Sequence, residues 1–234
     1  MLNYRIADLN VLMSPNFNTL KKQSEYYKES FIKPDFTINV TDDEIKDFNL
    51  KHKHLTLDDC EYLLTGVFFY RKLIEYSGII LHSSAICMDN RAYLFSAPSG
   101  IGKSTHAALW QRYFGEENAI IINDDKPAIR YIDDKFYAFG TPWSGKTDKN
   151  KNIKVPIKGI CFLNRAEENK IQEMSSKSAL FPLLDQTLRP VKQAEIDMFS
   201  SIVSMIIDKI PIYKLSCNMD VSAVETAYRK LKEA

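Results

Sequence analysis

The sequence predicts an α/β protein built on a mixed sheet, with a small N-terminal α+β lobe over residues 1–78 and a larger unit over residues 79–234. Three observations carry this expectation. From Ile79 onward, short apolar or aromatic runs alternate with longer segments of helical spacing. Asp89-Asn90 lies between two such runs and reads as a two-residue turn. Such a turn joins only antiparallel strands, so the sheet is not all parallel. Finally, the small-residue segment from Ser96 to Thr105 follows a strand-like run and opens a helix-like one.

The elements follow in order. Residues 4–13 and 36–41 have strand character, separated by a polar stretch from Asn16 to Ser30. Thr56-Leu57-Asp58-Asp59 forms a capping sequence for a helix running to Tyr76. Leu63, Leu64, Val67, Phe68 and Ile74 mark its apolar side, and Gly78 is placed to end it. Strands are then predicted at residues 79–88, 91–96, 119–123, 128–132, 136–140, 155–163 and 212–216, with a further turn at Asp133-Asp134. Helices are predicted at 104–114, 176–187, 191–208 and 221–232.

Composition narrows the function. A chain of 234 residues buries roughly 70% of the surface its unfolded form exposes, so no disulfide or metal framework is needed. The formal charge of +1, with acids and bases interspersed, argues against nucleic acid or a membrane as the main partner. Cys60, Cys87, Cys161 and Cys217 are far apart and form no Cys-x-x-Cys pair, so they read as small core residues in a reducing compartment. The start lacks a basic-then-apolar block, and no run reaches about 18 apolar residues. A soluble cytoplasmic protein is expected.

The segment Ser99-Gly100-Ile101-Gly102-Lys103-Ser104-Thr105 carries the chemistry. A tight turn of small residues points successive backbone N–H groups at a polyphosphate, Lys103 reaches its terminal phosphates, and the Ser104 hydroxyl ligates Mg²⁺. The pattern G-x-x-x-x-G-K-[ST] is met except at its first glycine, where Ala97 stands. A serine- and glycine-rich turn that merely caps a helix does not need Gly-Lys-Ser at this offset.

The apolar run Ala119-Ile120-Ile121-Ile122 ends in Asn123-Asp124-Asp125. A strand delivers its terminal acids to the carboxyl edge of the sheet, where one can hold a metal and the other accept a proton. His82, in the otherwise apolar run Ile80 to Ile86, is a candidate to face the transferred phosphoryl group. His106 is a weaker candidate, and His52 and His54, alternating with Lys51 and Lys53, read as a solvated face. Residues 140–154 combine glycines, a proline and several lysines, the composition of a mobile basic loop that closes over phosphates. Trp143 within it is expected to pack on a base or on a wall of the site.

The order His82, Ser99-Gly100-Ile101-Gly102-Lys103-Ser104, Asp124-Asp125 resembles the catalytic domain of HPr kinase/phosphorylase. More broadly it is similar to the phosphoenolpyruvate carboxykinase-like group of P-loop proteins. The resemblance covers residues 79–164. It implies a P-loop, phosphoenolpyruvate carboxykinase-like architecture that binds ATP and Mg²⁺. By position it implies roles for Lys103 and Ser104, for Asp124 and Asp125 as base and metal partner, and for His82 beside the phosphate. Thr105 stands where that family has a glutamate, and its arginine-bearing loop is matched only loosely by the lysines of 146–154. The chain is therefore more similar to HPr kinase-like proteins that lack the usual N-terminal domain and whose acceptors vary.

The expected activity is that of an ATP- and Mg²⁺-dependent kinase transferring the γ-phosphoryl group to a hydroxyl, serine first, on a protein, peptide or small molecule. Asp124 is expected as base, with Lys103 and His82 catalytic. Ser99, Gly100, Ile101, Gly102, Lys103, Ser104 and Thr105 are expected to hold the nucleotide, and Ser104 and Asp125 the metal. The oligomeric state is left open. The rival readings are a carboxykinase-type lyase and a nucleotide-responsive binding protein without turnover.

Overall fold

The computed structural model describes residues 1–233. In chain order it contains β1 (Leu2–Ile6), β2 (Leu9–Met13), α1 (Asn18–Ser24), β3 (Phe36–Ile38), α2 (Asp42–Lys51), α3 (Leu57–Glu75), β4 (Gly78–Ile80), β5 (Ser83–Met88) and β6 (Arg91–Ser96). There follow α4 (Lys103–Phe114), β7 (Ile120–Asn123), β8 (Ala128–Ile132), β9 (Lys135–Phe139), β10 (Lys154–Arg165), β11 (Lys170–Glu173), α5 (Ser176–Asp185), α6 (Gln193–Lys209), β12 (Ile212–Cys217) and α7 (Ser222–Glu233). The architecture is mixed α/β.

Three tight turns organise the strands. Ala7-Asp8, Asp89-Asn90 and Asp133-Asp134 all take positive φ, between 47° and 61°. Two consecutive left-handed residues give the twist that antiparallel strands need, and Asp and Asn tolerate it best. The run 4–13, of strand character in sequence, is therefore a hairpin of β1 and β2, with β3 added in parallel. The polar stretch 16–30 holds α1, whose N-terminus lacks a side-chain cap of its own. Two carboxylates from α3 serve it instead: buried Glu61 accepts from the Asn16 and Phe17 amides, and Asp58 from the Thr19 amide.

The main sheet has nine strands along the path β4-β8-β9-β10-β6-β5-β7, with β12 also on β10 and β11 on β12. In β6, Ala92 and Leu94 join one apolar cluster and Tyr93 and Phe95 the other, the alternation of a strand buried on both faces. The first cluster takes in Phe199, Ile202 and Ile206 of α6, and the second takes in Trp110 of α4 and Val224 of α7. A third cluster joins β1, β2 and β3 to Phe69 and Leu73 of α3, Ile80, Ala128, Phe139 and Trp143.

One edge of this sheet collects the candidate residues. β5 runs antiparallel to both β6 and β7, so β6 and β7 point the same way, and β10 and β12 run parallel to β6. The carboxyl ends of β6, β7, β10 and β12 therefore share an edge with the amino end of β5.

The structure corrects the expected strand 79–88, which breaks at residues 81–82. The Leu81 amide donates to the Pro127 carbonyl and the His82 amide to the Gln186 carbonyl, drawing the chain out of register with β5. The end of α3 also differs: Ser77, not Gly78, takes the left-handed φ of 56°.

Candidate functional site

The loop from Ala97 to Gly102 leaves the end of β6 and enters α4. Its positive φ values fall on Gly100 (82°) and Gly102 (123°), conformations that an L side chain resists. Ala97, standing where the sequence pattern has glycine, is not among the left-handed residues and is buried in the core. The substitution therefore costs the loop no backbone strain. Gly102 occupies the N-cap of α4 without a side-chain hydrogen bond, and the first turn carries no acidic residue. The first amides of the helix are thus free, with the positive end of its dipole, for an anion.

Ser99 and Gly100 are exposed, Ile101 and Gly102 half-buried, and Ser104 and Thr105 exposed on the first turn of α4. Lys103 is buried. Its ammonium donates to the Ala97 carbonyl at 2.8 Å and to the Pro98 carbonyl at 3.5 Å. Burial lowers its pKa, opposed by the nearby carboxylates of Asp125 and Asp124. Lys103 and the acidic pair therefore share one electrostatic environment.

Asp124 follows β7 directly and is buried. Its Oδ1 accepts from the Ser84 hydroxyl at 2.6 Å, and its amide donates to the Lys149 carbonyl. Asn123 shapes the turn: its Oδ1 accepts the amides of Asp125 and Lys126, while its side-chain amide donates to the Thr141 carbonyl. Asp125 is turned the other way. Its Oδ1 lies 3.2 Å from His82 Nε2 and 3.1 Å from Lys126 Nζ. Burial pushes the Asp125 carboxyl up, but the His82 hydrogen bond and the Lys126 charge outweigh it and leave the pKa below the ordinary value.

His82 is aimed by the break between β4 and β5. Its Nδ1 lies 3.1 Å from Gln186 Oε1, its amide donates to the Gln186 carbonyl, and its own carbonyl accepts from the Ser96 hydroxyl. The Gln186 side-chain amide donates in turn to Asp185. His106 has no place in this constellation. It is buried, its Nε2 accepts from Trp110 Nε1–H at 3.1 Å, and burial lowers its pKa to about 4. His52, expected on a solvated face, is half-buried with its ring 4.3 Å from that of Phe48.

Residues 140–154 are stitched to their surroundings, unlike the mobile loop expected. The Lys151 amide donates to the Ile122 carbonyl, and Tyr27 donates to the Asn150 side chain. Gln23 donates to the Gly145 carbonyl and accepts from the Ser144 hydroxyl. Trp143 is fully buried, stacked on Phe69 at 4.9 Å, with its indole N–H donating to Thr65. It belongs to the apolar cluster that joins α3 to β1, β2 and β3.

Arg165, at the end of β10, was not identified from sequence. Its Nε donates to the Ile101 carbonyl at 3.0 Å and its Nη2 to the Gly100 carbonyl. A basic residue closing a strand carries no distinguishing sequence signal; only the parallel pairing of β10 with β6 brings it to the loop.

Among the described residues, no group of three or more His, Cys, Asp and Glu side chains is arranged to hold a metal ion. No helix is long and apolar enough to cross a membrane. No curated protein matches the chain. Among solved structures, the Hpr(Ser) kinase/phosphatase from Coxiella burnetii is 12% identical, with 66% of this chain and 93% of that chain covered and a TM-score of 0.37. The family model described as "SynChlorMet cassette protein ScmC" matches residues 51–228, and the chain belongs to that family.

Proposed function

We propose that the chain is a phosphotransferase that binds ATP with Mg²⁺ at the 97–105 loop and transfers the γ-phosphoryl group to a hydroxyl. The observation that carries this reading is the meeting, at one sheet edge, of an uncapped helix N-terminus, the buried Lys103 and the Asp124-Asp125 pair. Phosphoryl transfer asks mainly for positioning and charge neutralisation, and these are the groups it needs.

The donor set suits Mg²⁺. That ion is usually held by one or two carboxylates together with phosphate oxygens and water, not by an all-protein cage. The Ser104 hydroxyl and the Asp124 carboxylate would hold it, and when bound it neutralises charge on the β- and γ-phosphates. The free amides of residues 102–105 hold phosphate oxygens, and Lys103 exchanges its contact with Ala97 for the terminal phosphates.

Asp125 faces the acceptor. It lines an open cavity with His82 and Lys126, whereas Asp124 is turned to Ser84. This exchanges the roles expected from sequence for the two acids. Asp125 takes the proton from the acceptor hydroxyl as that oxygen forms the new P–O bond. The β–γ bridging oxygen departs with its electron pair on ADP. His82, held by Gln186 through Nδ1, acts as a positioning residue that, with Lys126, fixes the Asp125 carboxylate.

The reading is tested by calorimetric titration with MgATP and by following labelled γ-phosphate into added alcohols. Micromolar-range binding that disappears in Lys103→Ala supports it. A protein that binds MgATP no better than AMP overturns it.

A further inference from the structure

The wall opposite Asp125 is made by α3, a helix that supplies none of the nucleotide-binding groups. A cavity of about 340 Å³ opens between this helix and residues 185–188. His82, Asp125 and Lys126 stand at its polar end. Leu63, Val67 and Tyr70 from α3, with Ile80 and Leu188, supply apolar walls, and Tyr62, Asp185, Gln186 and Thr187 complete the lining.

Two features show that this space is built into the fold. Gly66, within α3, lies against Trp143: a Cβ there would meet the indole at 3.0 Å and the Tyr70 hydroxyl at 3.1 Å. Glycine thus lets the helix seat on the indole and carries Tyr70 into the lining. At the other end, the backbone contact between His82 and Gln186 holds the 185–188 segment over β4 and β5. Leu63 and Val67, spaced four apart on one helical face, look like core residues in sequence. In the structure Leu63 is 42% exposed at the mouth of the cavity.

We propose that this cavity is the acceptor site, and that the acceptor carries an apolar group of about leucine to phenylalanine size beside its reacting hydroxyl. This rests on the phosphotransferase reading. A serine side chain alone is far smaller than the space and leaves its apolar walls against water. Each buried methylene raises affinity about fourfold, so an acceptor whose apolar group fills the cavity outcompetes free serine about 10²-fold in kcat/KM. The chemistry is shared by an apolar alcohol and by a serine flanked by an apolar residue in a peptide. Asp125 accepts the hydroxyl proton in either case, ATP supplies the phosphoryl group, and ADP leaves.

The test compares phosphoryl transfer from labelled ATP to L-serine, to 2-phenylethanol and to N-acetyl-phenylalanyl-serinamide. At least one phenyl-bearing acceptor is expected to exceed serine tenfold or more, and which one does so distinguishes a small alcohol from a peptide. Val67→Trp fills the cavity and is expected to lower transfer to the preferred acceptor at least tenfold while the Kd for MgATP changes less than twofold. Leu63→Ser, at the exposed mouth, leaves the core intact and is expected to narrow the preference over serine severalfold. Equal use of serine, a preference untouched by both variants, or no transfer to any of the three by protein that binds MgATP overturns the acceptor assignment alone. Failure to bind MgATP overturns the phosphotransferase reading and this one together.

Discussion

His82 Nε2 and Asp125 Oδ1 lie 3.2 Å apart, the first in the break between β4 and β5 and the second just beyond β7, the strand paired with β5. The contact holds the Asp125 pKa down, so its loss moves that pKa up. In His82→Ala, the acidic limb of the kcat/KM profile for phosphoryl transfer is expected to shift to higher pH, with kcat lowered about tenfold or more. A loss of rate without displacement of the acidic limb would make His82 a structural residue only.

Lys103→Ala is expected to weaken MgATP binding and to lower transfer by about 10²- to 10³-fold, since a donor aimed at developing charge is removed. Its ammonium now rests on the Ala97 carbonyl. Substitution leaves that buried carbonyl without its donor, and melting temperature is expected to fall by a few degrees. Calorimetry and single-turnover transfer check both halves.

The two acids separate by their surroundings. Asp125→Asn removes the carboxylate proposed as base and is expected to cut single-turnover transfer about 10²- to 10⁴-fold with little change in Mg²⁺ requirement. Asp124→Asn is expected to raise the Mg²⁺ concentration for half-maximal rate instead. Titrations of rate against Mg²⁺ for both variants decide the assignment, and the reverse pattern restores the roles expected from sequence.

His106 gives a stability prediction independent of function. Its pKa falls from an ordinary 6.5 to about 4 in the folded protein. Between these values the unfolded chain binds the extra proton, so stability falls as pH drops from 6.5 toward 4 and is fully retained above 6.5. The loss amounts to roughly 3 kcal/mol. Urea unfolding of His106→Phe at pH 7 and pH 4.5 is expected to show a smaller pH dependence than the parent.

Much of the candidate site was legible because its signals are local. The alternation of β6, the glycines before Lys103 and the apolar run ending at Asp124 each announce themselves within a few residues. Other features depend on partners far along the chain. The break at His82 carries no Gly or Pro and arises from hydrogen bonds to Pro127 and Gln186. Arg165 reaches the loop only through strand pairing. α2 escaped notice because its one buried residue is Ile45, although Thr41 and Glu44 form a capping box at its start. Lysine content suggested that residues 140–154 move, but their backbone and asparagine contacts, which bind them to β7 and α1, have no compositional trace.

Those same contacts divide labour within the chain. The family match begins at residue 51, yet the segment lying against Asp124 and Asp125 is fastened by Gln23 and Tyr27, and its Asn152 donates to the Arg5 carbonyl. The first thirty residues supply no reactive group, but the acidic pair owes part of its placement to them. Sequence change in that stretch would thus reach the candidate site without touching any residue placed in it.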